Sequence, residues 1–240
     1  TLFRAALLPL VHIKVLLRQT YPYILISLAT VIFLDKQEPT LSGWWILIFS
    51  LVGLLTAVWA GVNCHRIFLL PKEKQSRLKA VDMSVKHFDF LVAILRLGLA
   101  TVLLCVPYFF LLFVVLELLN LSFSEALEGS QWLMQVLLLP VGYFIGRWML
   151  ILPDAAVGEN RSFAWSWQVT RGHRWSVYLL LTVIPMMVAV VMELAHSLFE
   201  ASVVVDAVFG ILSLVTAVIG LCLLSLTYSQ LIDKSNHKQA

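Results

Sequence analysis

The chain of 240 residues is 60% hydrophobic and only 13% charged, with a mean hydropathy of +0.91. A soluble domain averages about 45–50% apolar and about 25% charged residues, so this composition excludes a water-soluble globular fold. The formal net charge of +3 comes from basic residues scattered between apolar runs, which argues against the continuous basic footprint of a nucleic-acid binder.

In chain order, the sequence predicts six transmembrane helices: Val15 to Leu34, Trp44 to Leu70, Phe88 to Leu119, Trp132 to Leu152, Trp175 to His196 and Val203 to Ile232. Each run approaches or exceeds about 20 apolar residues, the length that crosses about 30 Å of hydrocarbon as a helix. Backbone amides find no water in lipid, so a span is a helix or part of a closed barrel, and the lack of strict alternation excludes the barrel. The expected fold is therefore an all-α membrane protein, with residues 1–240 as one integral membrane domain. The first run is preceded by Arg4 and includes or adjoins Lys14 and Arg18, without a small-residue cleavage site, so no cleavable signal peptide is expected there. Cys64, Cys105 and Cys222 lie inside apolar runs and read as small core residues, not as a disulfide or metal set.

Charge predicts the direction of threading. The connections around 35–43, 117–131 and 193–206 hold one basic residue, Lys36, and eight acids: Asp35, Glu38, Glu117, Glu125, Glu128, Glu193, Glu200 and Asp206. The opposite side then holds 16 basic and 6 acidic residues, or about +10 against −7. Because Lys and Arg near span ends stay on the cytoplasmic side, both termini are expected to be cytoplasmic in a bacterial inner membrane. Trp44, Trp45 and Trp132 mark the outer headgroup level, and Tyr21, Tyr23, Trp148, Trp165, Trp167, Trp175 and Tyr228 the inner one.

A polar or amphipathic stretch precedes each odd-numbered span, at a period of about 70–80 residues. Arg4, Lys14 and Arg18 oppose Phe3, Leu7 and Leu10 on a helical wheel; Leu78, Val81, Val85 and Phe88 oppose Arg77, Lys79, Asp82 and Lys86; and Arg161 to Arg171 leads into Trp175. The pattern predicts three parallel repeats, 1–71, 72–153 and 154–240, each a surface helix followed by two spans.

The most distinctive segment follows the fourth span: Pro153, Glu159, Ser162-Phe163-Ala164-Trp165-Ser166-Trp167, Thr170, Gly172 and Trp175. It resembles the signature of the YciC-like family of bacterial inner-membrane proteins and is similar to the membrane domain that precedes some bacterial glycerophosphodiester phosphodiesterases. The shared pattern is a proline at a span exit, an acid, then A-L-x-x-S-W-x-L-x-x-G before an aromatic. Ser162-Phe163 replaces the usual Ala-Leu, while Ser166, Trp167, Gly172 and Trp175 match. The resemblance implies a multi-span inner-membrane fold without a defined activity, and the phosphodiesterase chemistry of the fused relatives does not carry over.

Read from its residues alone, the segment predicts a membrane-surface elbow. Asn160 is the expected N-cap, Phe163 and Trp167 at i and i+4 would press into the headgroup region, and Gly172 would end the helix in the left-handed conformation. Arg161, Arg171 and Arg174 would meet lipid headgroups.

Intramembrane charges are the first places to seek function. Arg66, Arg96 and Arg147 fall toward the basic ends of their spans, where they are expected to pair with Asp89, Asp154 or lipid phosphate, or to converge as one anion pocket. Glu193, His196 and Glu200 share a helix face at i, i+3 and i+7, the weak candidate for a metal, which a bundle site would complete with a second Glu-x-x-His helix that the sequence lacks. Gly142 with Gly146, and Ala57 with Gly61, predict close helix approach, and Pro107, Pro140 and Pro185 predict kinks. Among enzyme signatures, neither a nucleophile elbow, a zinc-protease helix, a phosphate loop nor a dinucleotide fingerprint is present, so neither catalysis nor a cofactor is expected. The leading expectation is a non-catalytic structural or accessory membrane component with lipids and other integral membrane proteins as partners. The rival is a transporter or lipid-handling protein built on the arginine layer.

Overall fold

The computed structural model describes residues 43–71, 84–118, 136–199 and 202–237, with 11, 13–18, 20, 21, 23, 25 and 26 before them. Every regular element among the described residues is helical. They are α1 (Gly43–Leu69), α2 (Val85–Leu118), α3 (Leu139–Trp148), α4 (Ile151–Val157), α5 (Phe163–Val169), α6 (Arg174–Tyr178), α7 (Ile184–Ser197) and α8 (Val203–His237). A 3-10 turn at Arg171–His173 and a π-helical stretch at Leu179–Val183 join α6 to its neighbours, making Arg171–Ser197 one rod.

Four helices among the described residues are long and apolar enough to cross a membrane: Leu47–Leu69, Val85–Val115, Arg171–Ser197 and Val204–Asp233. They correspond to the second, third, fifth and sixth expected spans. Of the first, the described positions between 11 and 26 are helical, and Leu16 packs against Cys64 and Ile67 of α1. Its remainder lies outside the described residues, as do residues 72–83 of the second surface stretch, the connection at 119–135 with Glu125, Glu128 and Trp132, and Glu200.

The fourth expected span departs from the reading as one rod. Its described part breaks at Met149 and Leu150 into α3 and α4. Pro140 sits in the first turn of α3, where a proline forfeits no helical hydrogen bond. Pro185 lies inside the rod Arg171–Ser197, as the sequence predicts, directly after the π-helical stretch that leads into α7. Pro107 lies within an α2 that stays helical on both sides of it.

Burial is strongly one-ended. The core gathers Val58 and Val62 of α1, Phe90 and Ala93 of α2, Leu150 to Ala156, Val177 and Leu181, and Cys222 to Leu224 with Tyr228 and Leu231 of α8. At the opposite end the same helices expose Leu47, Ile48 and Leu51; Val106, Phe110 and Leu111; Met187, Val191 and Leu194; and Val204, Val208 and Ile211. Phe110 is 69% exposed. Apolar surface of this extent is untenable in water but ordinary against acyl chains, so the fold is that of a membrane protein.

Candidate functional site

The tightly packed end is organised by residues 147–182, the segment that the sequence singles out. α4 ends where Gly158 takes a left-handed φ of 92°, allowing its N–H to reach Asp154 and Ala155 carbonyls at 3.1 and 3.0 Å. Lys86 of α2 closes this end from outside: its Nζ donates to the Val157 carbonyl at 3.1 Å, a cation on a helix C-terminus. Asn160 is also left-handed, with φ 52°, which its short polar side chain tolerates. Asn160 is therefore a turn residue, and the N-cap of α5 is Ser162, whose Oγ accepts from Trp165 N at 3.3 Å. Gly172 belongs to the 3-10 turn, so the left-handed glycine of this segment is Gly158.

Asp154 ties the turn to α8. Its fully buried carboxylate accepts from the Arg161 backbone N–H at 2.7 Å and from the Tyr228 hydroxyl at 2.9 Å, with the Arg161 guanidinium at 3.6 Å. Burial pushes the Asp154 carboxyl above the usual carboxylate range, against the opposing pull of those donors. Arg161 also reaches Glu159 at 3.2 Å and lies over the Trp165 ring.

Arg147, only 2% exposed, is the centre of the second half. Its Nε donates to Thr170 Oγ1 at 2.8 Å, Nη2 to the Trp167 carbonyl at 2.7 Å, and Nη1 to the Tyr143 hydroxyl at 3.2 Å. The guanidinium lies 3.4 Å from the Trp167 ring centroid. Ser166 Oγ donates to the Arg147 carbonyl, and Thr170 Oγ1 to the Ser166 carbonyl at 2.9 Å. Arg147 thus caps the C-terminal end of α5 with a planar cation. Phe163 and Trp167 are half-buried and turn toward α3, against Trp148 and Phe144. Trp175, at the start of α6, is exposed but contacts Tyr143 and Tyr178.

Gly142 and Gly146 admit Thr182, whose Oγ1 donates to the Gly142 carbonyl at 2.8 Å; a Cβ on either glycine would collide with that side chain. Of the second small pair, Gly61 faces the Phe90 ring while Ala57 is exposed, so the pair does not act as one seam. Pro153 is buried within α4.

The expected arginine layer is divided. Arg147 is committed to α5, and Arg66 is half-buried in the last turn of α1. Arg96 is exposed on α2 and lines a cleft of about 320 Å³ with Asp89, Asn160, Arg161, Ser162 and Phe163. Arg171 and Arg174 line a separate, open groove of about 460 Å³ with His173 and Trp175. At the far end, His196 Nε2 meets Asp206 Oδ1 at 2.9 Å, a pairing across α7 and α8, while Glu200 of the expected helix-face set lies outside the described residues. Among the described residues no three His, Cys, Asp or Glu side chains are grouped as metal ligands.

Sequence reading overlooked polar residues inside α1. His65 is fully buried and shares a 2.7 Å hydrogen bond with Ser225 of α8, and Asn63 is 2% exposed with its Nδ2 lacking a hydrogen bond among the described residues. The signal was available, since Asn and His are rare inside so apolar a run.

These features define an all-helical, multi-span membrane protein whose polar groups knit one end of the bundle together. No family model, curated protein or solved structure matches the chain.

Proposed function

We propose that the chain is a non-catalytic protein of the bacterial inner membrane, a structural or accessory component of the envelope or of a larger membrane complex. The reading includes six spans, cytoplasmic termini, three surface-helix and two-span units, and kinship with the YciC-like proteins that residues 153–175 resemble. The observation that best supports it is the Arg147 elbow. A buried arginine whose fork is spent on Thr170, Trp167 and Tyr143 is holding helices, not waiting for a substrate. The open apolar faces at the other end leave room for lipid and for other integral membrane proteins.

Photo-crosslinking residues placed at Phe110 of α2 and Ile211 of α8 test the role in native membranes. A discrete adduct with another integral membrane protein is expected from these faces and not from Arg171 at the basic end. Adducts with lipid alone from both faces would contradict the accessory role.

A further inference from the structure

The cleft between α2 and the elbow has a charge pattern that the elbow itself does not use. Asp89 and Arg96, seven residues apart on α2 and therefore on one helix face, both line it. Among the described residues neither forms an ion pair. The cleft's other cation, Arg161, is already balanced by Asp154 and Glu159. What remains available is one carboxylate and one guanidinium, a neutral pair of opposite charges.

Depth and surroundings fit that pair to a lipid. α2 has 34 residues, so at about 1.5 Å per residue it is about 50 Å long, against about 30 Å of hydrocarbon. The charged residues Lys86, Asp89 and Arg96 all fall in the first third of α2 and none follows before Glu117, which assigns the surplus length to this end; Arg96, about 16 Å along by the same rise, stands near where the hydrocarbon begins. From there the helix exposes Leu99, Val102, Leu103 and Val106 in succession. The cleft therefore stands at headgroup level, with an apolar track running from it toward the bilayer interior.

We propose that this cleft is a binding site for a single aminophospholipid, of the phosphatidylethanolamine type. The phosphate sits against the Arg96 guanidinium, with the Ser162 and Asn160 side chains at the same mouth; the ammonium meets the Asp89 carboxylate; and an acyl chain follows the exposed face of α2. Asp89 is the discriminating residue, because an anionic headgroup without an ammonium would leave that carboxylate unpaired beside its own charge. The site is independent of the accessory role and requires only that the chain spans the bilayer.

Native mass spectrometry of the whole protein, released from mild detergent after equilibration with equal amounts of phosphatidylethanolamine and phosphatidylglycerol of matched chains, tests it. Wild-type protein should retain one phosphatidylethanolamine in preference. Arg96→Gln should lower retention of that lipid about tenfold, the scale of one lost charge-assisted hydrogen bond, and Arg96→Lys should recover part of it. Asp89→Asn should erase the preference while the protein remains monodisperse and helical by circular dichroism. Equal retention of the two lipids by wild type, a preference for phosphatidylglycerol, or an unchanged preference in Asp89→Asn would each overturn the proposal.

Discussion

Arg147 shows why a charge in an apolar run need not mark a passage. Guanidinium presents several donors in one plane, and here they meet a hydroxyl of α5's last turn, a carbonyl and a tyrosine while the face rests on Trp167. An ammonium offers the charge without the plane. Replacing Arg147 by Ala should cost about 3 kcal/mol of stability, since hydrogen bonds to a charged group contribute about 1.5–3 kcal/mol and the partners are left buried. Arg147→Lys should cost roughly half as much, because the cation still faces a helix C-terminus. Thermal unfolding in detergent, followed by circular dichroism, reads both; an Arg147→Ala protein melting with wild type would show that the arginine is not structural. The sequence made Arg147 visible as a charge near a span end, but two of its three acceptors, Trp167 and Thr170, lie 20 and 23 positions onward, where the α3–α5 hairpin alone brings them. The same non-locality hid Tyr228, a plausible belt aromatic until Asp154 is found 74 positions away at its hydroxyl.

At the scale of elements, the seam between α3 and the rod Arg171–Ser197 carries the clearest dependence on small residues. Thr182 projects from the π-helical stretch onto Gly142 and Gly146, donating to a carbonyl that only a glycine face leaves accessible. Gly146→Ala should destabilise the protein by about 1–3 kcal/mol, the range for forcing a methyl into a packed contact. Pairing it with Thr182→Ala should return part of that loss, giving a coupling that strictly additive losses in a double-mutant cycle would deny. The glycine spacing was legible at once. Thr182 was not, because a π-helical turn shifts the helix face by an amount that a 3.6-residue period does not foretell. Local caps were misread for a related reason: Asn160 and Ser162 are both good N-cap residues, and the choice fell to Ser162 once Asp154 drew in the Arg161 amide.

Across the whole molecule, hydropathy located the long helices to within a few residues, since length and apolarity in lipid are set by a thickness that sequence can count. It did not foresee the break at Met149 and Leu150 or the concentration of the core at one end, both of which depend on which helix faces which. That one-ended core is consistent with the proposed threading: the well-packed, hydrogen-bonded end carries Lys86, Arg147, Arg161, Arg171 and Arg174, and the open end carries Glu193 and Asp206. The polarity of the chain in the bilayer is the claim on which the cytoplasmic termini and the parallel repeat units depend. Paired activity reporters, one fused after Gln131 and one after Lys234, measure it most directly in intact bacteria. The account predicts a periplasmic signal from the first and a cytoplasmic signal from the second; a cytoplasmic signal after Gln131 would contradict it.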